Sequence, residues 1–269
     1  MPRFLEFLLP WRRARQGTLH RIPAVHSPQL GNERDILVYT PGSYARGIAR
    51  YPVIYMHDGQ NLFDAATSFA GDWGLRAALA RASRRGIETI VVAIPNMGPA
   101  RIDEYTPFAD PKAGGGQGDR YLEYLIDTVK PLVDGRFRTL PDREHTGIAG
   151  SSLGGLISLY ALFRYPEVFG FAAALSPSLW FARGAILEFI AQAPTVGPRA
   201  RIYLDVGLRE GANHVALARR LRDMLLAKGY GPERDLLFVE DRDGRHHESA
   251  WGRRFRKALP FLLTNGQPA

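Results

Sequence analysis

Continuous apolar runs alternate with segments of helical periodicity along most of the chain. Residues 52–57 and 89–94 are apolar at nearly every position, as expected for strands that are buried on both faces. Residues 73–85 and 215–228 instead carry apolar positions at helical spacing, and a glycine follows each of them. This alternation predicts a mostly parallel sheet with helices on both faces.

The same pattern extends through the rest of the sequence, with no repeat. The predicted strands are 34–41, 52–57, 89–94, a short strand ending at 149, 171–175, 201–206 and 236–239. The predicted helices are 73–85, a helix capped by Asp119 that includes Val129, 156–163, 215–228 and 250–263.

Composition is that of one globular domain. The chain has 269 residues, of which 45% are hydrophobic and 23% are charged, and α/β folds of this size often form a single unit. We interpret residues 1–16 as an N-terminal extension and residues 17–269 as the domain. The absence of cysteine excludes disulfides, a thiolate nucleophile and Cys-ligated metal.

Charge and the N-terminus add two expectations. The formal net charge is +8, but the arginines are scattered, which favours a solvated surface over a nucleic-acid site. The apolar piece 4–10 is short and its main charge follows it, unlike a signal peptide. No apolar run reaches 18 residues. We therefore expect a cytoplasmic protein without a membrane span.

The segment 150–154 reads Gly-Ser-Ser-Leu-Gly, a G-x-S-x-G pentad with Ser152 at its centre. A short apolar stretch, 148–149, precedes it as the end of a strand, and the apolar segment 156–163 follows as a buried helix. A serine in such a strand-to-helix turn is typical of the nucleophile elbow of an α/β-hydrolase. Strain in the turn exposes its hydroxyl above the sheet. A glycine-rich turn without chemistry is the alternative interpretation.

A serine nucleophile needs a base, and the base needs an acid. In this fold the chain order is serine, acid, histidine. Three histidines follow the serine, and His214 begins a helix, where a capping or surface role is more common. His246 and His247 directly follow the last predicted strand, and only one of an adjacent pair can face Ser152.

The acid is expected after the preceding strand, 201–206. Glu210 lies beyond the end of that strand, where its side chain can reach the histidine loop. Asp205 lies within the strand and is the second candidate, whereas Asp241 and Asp243 belong to the histidine loop itself. A surface ion pair is the ordinary alternative for any one of these carboxylates.

An oxyanion hole requires two backbone N–H groups aimed at developing negative charge. Leu153, the residue after the serine, supplies one, and Gln60 in the loop 57–63 supplies the other. His57 and Asp58 resemble metal ligands in isolation. No further ligand follows at metal spacing, so we expect neither metal nor cofactor.

Three residues are candidates for binding the substrate. Arg101 and Tyr105 follow the strand 89–94, and Trp180 follows the strand 171–175, at the edge where such sites open. Arginine beside aromatics suits an anionic or aromatic acyl group. A loop whose arginine is neutralised by neighbouring acids, with a core tryptophan, is an equally open interpretation.

Motifs from about position 18 to 263 resemble the putative esterase family of α/β-hydrolases, and most closely its enterochelin-esterase-like branch. The matching segments are 57–63 (HDGQNLF), 94–96 (IPN), 104–107 (EYTP), 150–155 (GSSLGG), 207–210 (GLRE) and 246–251 (HHESAW). The last segment is similar to the family's H-N-E-x-x-W, which implies His246 as the base. The resemblance also implies Ser152 as nucleophile and Glu210 as acid.

The resemblance implies a serine esterase acting on a siderophore lactone, a feruloyl ester or an acetyl ester. Acyl transfer to an alcohol, as in the mycolyltransferases of the same family, differs only in what attacks the acyl-enzyme. A non-catalytic binding protein on the same fold is the alternative from another class.

Overall fold

One eight-stranded sheet organises the computed structural model, which describes residues 17–68, 71–194 and 200–264. The strand order is β1-β2-β4-β3-β5-β6-β7-β8. Strands β3 to β8 are parallel, whereas β2 pairs antiparallel with both β1 and β4. The strands are β1 (Thr18–Ser27), β2 (Asn32–Thr40), β3 (Val53–His57), β4 (Ile90–Ile94), β5 (Thr146–Ser151), β6 (Phe171–Leu175), β7 (Arg201–Gly207) and β8 (Leu236–Asp241).

Helices connect and cover these strands. A π-helical turn, Tyr124–Val129, joins α3 to α4 without a break. The helices are α1 (Leu75–Ser83), α2 (Arg101–Tyr105), α3 (Gly118–Glu123), α4 (Lys130–Arg136), α5 (Leu153–Arg164), α6 (Ala185–Gln192), α7 (Ala212–Ala227) and α8 (Glu248–Leu263).

The core lies in two apolar layers, one on each face of the sheet. Strand β3 shows the alternation, since Tyr55 packs into one layer while Ile54 and Met56 pack into the other. Helices α5 and α7 cover the first layer, and α1 and α8 cover the second. The predicted α/β-hydrolase architecture, a mostly parallel sheet between helices, is therefore confirmed.

The chain reverses its direction of travel across the sheet at β3. From β3 it goes to β4 on one side, and it then returns to place β5 on the other side. The loops after β3 and β5 therefore meet at the carboxyl edge, at the position where open α/β sheets bind ligands. These are the loop that carries Gln60 and the turn that carries Ser152.

Several elements differ from the sequence-based expectation. Strand β1 was not predicted, because it alternates between exposed and buried positions at the sheet edge and is interrupted by a register shift between Ile22 and Val25. Helix α6 was also missed. Asp119 does not cap α3, which begins one residue earlier, and its carboxylate instead accepts a hydrogen bond from Tyr160.

Three further observations concern the ends and loops of the chain. The predicted extension, residues 1–16, lies outside the described residues. The glycine-rich segment 110–118 folds back on itself through hydrogen bonds between Asp110 and Gly114, and none of it borders the cavity described below. Within the described part of the chain, no helix combines the length and apolarity needed to cross a membrane.

Candidate active site

Ser152 occupies a strained turn between β5 and α5. Its backbone has φ 58° and ψ −120°, a conformation that residues other than glycine rarely adopt. The turn needs small neighbours, because a Cβ on Gly150 would lie 2.7 Å from the carbonyl carbon of Gly154. The geometry is that of a nucleophile elbow, with the serine side chain at the N-terminus of a buried helix.

Ser152, His246 and Glu210 form one hydrogen-bonded relay. The distance between Nε2 of His246 and Oγ of Ser152 is 3.0 Å, and Nδ1 of the same ring lies 3.0 Å from Oε2 of Glu210. The hydroxyl of Ser178 also lies 3.1 Å from Oγ of Ser152. A neutral imidazole that donates to the carboxylate presents its other nitrogen as the acceptor for the serine proton.

The side chain of Glu210 is fully buried, and its two oxygens have different surroundings. Oε1 accepts hydrogen bonds from Ser176 Oγ at 2.7 Å, from the N–H of Gly207 at 2.9 Å and from Arg254 at 3.2 Å. Oε2 is left to His246. Burial acts to raise the pKa of Glu210, but the hydrogen bonds from His246 and Ser176 and the charge of Arg254 outweigh it and lower the pKa to about 2. The acid is therefore an anion at neutral pH.

Asp205, the second candidate for the acid, lies behind Glu210 and makes no hydrogen bond to His246 among the described contacts. It is fully buried, accepts the N–H of Ser176 at 3.0 Å and lies 3.3 Å from Nε of Arg254. Burial raises its pKa to about 7, against the opposing effects of Arg254 and the Ser176 N–H. The structure brings Glu210, and not Asp205, to the histidine.

Arg254 and Ser176 were missed by the sequence reasoning. Arg254 is 2% exposed and donates to both Glu210 and Ser176 from the inner face of α8. A signal was present, since Arg254 stands between the apolar residues Trp251 and Phe255 on the buried face of the helix. No comparable pattern singles out Ser176, which follows β6 and is brought to the acid by strand pairing alone.

Gln60 and Leu153 have the backbone geometry expected of an oxyanion hole. Leu153 is the first residue of α5, and within the described residues neither its N–H nor that of Gln60 donates to a backbone carbonyl. Gly59 allows the close approach of this loop to the sheet, because a Cβ there would lie 2.7 Å from the carbonyl carbon of Ala93. Both amides are therefore free to donate to a developing oxyanion.

Arg101 is engaged by Asp58 and not by its sequence neighbours. Its Nε and Nη2 donate to the two carboxylate oxygens at 2.7 and 2.8 Å, and Asn96 Nδ2 donates to Oδ1 at 2.6 Å. Asp58 itself has φ 54° and adjoins the segment that carries Gln60. Although Arg101 borders the cavity, two of its five N–H groups are directed to Asp58, in the loop that carries Gln60.

Two of the three expected substrate-binding residues do not border the cavity. Tyr105 has no exposed surface, and its hydroxyl accepts the N–H of Asp58 at 3.0 Å, so the expectation that it binds substrate is wrong. Trp180 is 47% exposed and contacts Phe181, but it does not line the cavity. Position near the carboxyl edge of the sheet does not by itself place a side chain in the cavity, because Tyr105, at the end of α2, packs into the core.

The cavity beside Ser152 has a volume of about 430 Å³. The loop after β3 and the first turn of α8 both contribute to its lining. The lining residues are Asp58, Gln60, Asn61, Asn96, Gly98, Arg101, Ser151, Ser152, His246, Glu248 and Trp251.

The neighbouring histidines have other contacts. His247 is the N-cap of α8, and its Nδ1 accepts the N–H of Ser249 at 3.3 Å, a role that asparagine also fills well. His214 lies in the first turn of α7 and packs its ring 5.4 Å from that of His246. Of the pair in the tail motif, only His246 contacts Ser152.

No group of three potential metal ligands occurs within residues 17–68, 71–194 and 200–264. His57 is fully buried, and Nδ1 lies 2.8 Å from the hydroxyl of Tyr121. Burial lowers the pKa of His57 to about 3, so the ring is neutral. Its neighbour Asp58 is already engaged by Arg101.

The sequence model of the family described as "Putative esterase" matches residues 27–262. The chain belongs to this esterase family. It is 28% identical to the uncharacterized protein YbbA of Bacillus subtilis over 87% of this chain and 94% of that protein. It is 35% identical to the siderophore triacetylfusarinine C esterase of Aspergillus fumigatus, over 51% of this chain and 47% of that protein.

A solved structure extends the similarity in fold. The siderophore hydrolase EstA from Aspergillus nidulans superimposes with a TM-score of 0.70 at 23% identity, covering 99% of this chain and 98% of EstA. At that level of identity the comparison shows a common fold. Family membership indicates an ester hydrolase.

Proposed function

We propose that the protein is a serine esterase that cleaves a carboxylic ester through an acyl-enzyme on Ser152. The observation that carries this proposal is the continuous relay from Ser152 through His246 to Glu210, with both distances at 3.0 Å. Hydrogen-bonded nucleophile, base and acid are what covalent acyl transfer requires.

In the proposed mechanism, Nε2 of His246 takes the proton of Ser152 as its oxygen attacks the ester carbonyl. The backbone N–H groups of Gln60 and Leu153 donate to the resulting oxyanion. The imidazolium, stabilised by Glu210, then gives its proton to the departing alcohol. Water, activated by the same histidine, releases the acid and regenerates the serine.

Relatives named as siderophore esterases favour a siderophore ester as the natural substrate. We propose this class ahead of feruloyl and acetyl esters, and the proposed chemistry needs no metal or cofactor. A panel of siderophore lactones, feruloyl esters and acetylated sugars, compared by kcat/KM, tests the ranking.

Ser152→Ala tests the nucleophile. We expect it to lower kcat for p-nitrophenyl acetate by about 10⁴-fold or more, because the variant lacks the hydroxyl that bonds to His246 and forms the acyl-enzyme. A fluorophosphonate probe should label the wild type and not the variant. Ser178→Ala is the matched control, since it removes a hydroxyl 3.1 Å away and should retain labelling. Near-normal turnover by Ser152→Ala would disprove the assignment.

A further inference from the structure

The charges that line the cavity do not balance. Asp58 and Arg101 form a two-point ion pair and neutralise one another. Glu248 adds a carboxylate, and among the described residues that line the cavity Arg101 is the one arginine or lysine. The described lining therefore carries one carboxylate in excess of its arginines, although the chain as a whole carries a formal net charge of +8.

Glu248 is nine-tenths buried, with 10% of its side chain exposed, at the first position of α8. Among the described contacts its carboxylate makes no hydrogen bond. The nearest cationic candidate is Nδ1 of His247, at 3.9 Å. The N-terminus of a 16-residue helix stabilises negative charge there without occupying the carboxylate oxygens.

His247 does not neutralise this carboxylate. Its Nδ1 accepts the N–H of Ser249, so that nitrogen presents a lone pair and carries no proton toward Glu248. The exposed tenth of the Glu248 side chain faces the cavity, and a carboxylate that has lost most of its water gains from a charge-assisted hydrogen bond. A cationic group that enters the cavity from solvent supplies the missing partner.

We propose that Glu248 forms a subsite for a protonated amine of the ester substrate. This inference rests on the proposed function, because it assigns the substrate class to the cavity beside Ser152. Trp251 lies one helical turn further along α8 and also lines the cavity, so its indole adds an aromatic surface suited to a cation. Arg101 does not oppose such a group, since Asp58 already neutralises it.

Matched esters test the subsite from both sides of the scissile bond. One pair is 2-(dimethylamino)ethyl acetate and its uncharged isostere 3-methylbutyl acetate. The other pair is ethyl 3-(dimethylamino)propanoate and ethyl 4-methylpentanoate. Near neutral pH, we expect the amine to raise kcat/KM about tenfold or more in at least one pair, since a hydrogen bond to a charged group has that magnitude.

Glu248→Gln should remove most of that preference, because the amide keeps the shape but loses the charge. Glu167→Gln is the control, since it removes one negative charge from an exposed site outside the cavity, and its amine-to-isostere ratio should equal that of the wild type. A wild-type ratio near one in both pairs, or a ratio that Glu248→Gln leaves intact, would overturn the proposal.

A binding measurement distinguishes failure of this inference from failure of the proposed function. Calorimetric titration of the same esters into Ser152→Ala measures recognition without turnover. If the wild type hydrolysed none of the esters and escaped fluorophosphonate labelling, the proposed function would fail, yet tighter binding of an amine that depends on Glu248 would still support the subsite. Equal binding of amine and isostere in both pairs would overturn it.

Discussion

Two arginine–carboxylate pairs lie near Ser152, and they differ in which groups their carboxylates bind. On the acid side, Arg254 is 2% exposed and donates to Glu210. On the oxyanion side, Arg101 is 25% exposed and donates to Asp58. Both carboxylates are anchored, but only one of them keeps an oxygen for the proposed chemistry.

This difference follows from how the oxygens are shared. Oε1 of Glu210 receives all the internal donors, so Oε2 remains for His246. Both oxygens of Asp58 are used by Arg101, and its N–H donates to Tyr105. The first pair leaves a carboxylate oxygen to His246, whereas the second contacts the loop that carries Gln60. Disrupting them should therefore have different kinetic signatures.

The largest contrast should be between the adjacent histidines. We expect His246→Ala to lower kcat/KM by about 10⁴-fold, since the relay loses its base. His247→Ala should cost about tenfold or less, together with roughly 1 kcal/mol or less of stability from the lost cap. Kinetics and thermal unfolding of both variants measure this. A greater kinetic loss at His247 would reverse the assignment of the base.

On the acid side, Glu210→Gln should reduce kcat by about a hundredfold or more, but less than His246→Ala does. The amide can occupy the site but does not stabilise the imidazolium. Asp205→Asn is the matched control. A larger kinetic loss in that variant would show that Asp205, within β7, is the acid and not Glu210.

On the oxyanion side, Arg101→Ala should lower kcat about tenfold or more while leaving KM for neutral esters nearly unchanged, because a displaced loop weakens transition-state binding. The factor should be equal for anionic and neutral esters. Arg164→Ala, which removes a half-exposed arginine that pairs with Asp119, is the control. A selective rise of KM for anionic esters would instead support the sequence-based hypothesis that Arg101 binds substrate.

The smallest expected effect is on the free energy of unfolding, through the buried carboxyl of Asp205. Burial raises the pKa of Asp205 from 3.8 to about 7, so the folded state binds more protons than the unfolded state between these values. The contribution of Asp205 to stability should then decrease as pH rises through this range. Asp205→Asn should lack this dependence, so the wild-type free energy of unfolding should fall relative to the variant between about pH 5 and 7. A constant difference would contradict the raised pKa.

Much of the arrangement was predictable because local sequence controls it. The buried strands 171–175 and 201–206 were predicted within one residue, since continuous apolar runs have few other uses. The elbow and the serine–acid–histidine order placed Ser152, Glu210 and His246 in the chain, and the fold brings them together. Strand β1 escaped because an edge strand is only half-buried and its apolar signal is weak.

The remaining features depend on contacts between distant segments. Sequence alone predicted the fold class, the esterase resemblance and Ser152 as the nucleophile. Position after a strand left His246 and His247 open, and it favoured Glu210 over Asp205; the family resemblance then indicated His246. Only the tertiary structure decided that Arg101 pairs with Asp58, that Arg254 donates to Glu210, and that Glu248 lines the cavity without a hydrogen bond among the described contacts. A charged side chain takes its partner from whatever packs against it, and those neighbours come from strands and helices far away in the chain.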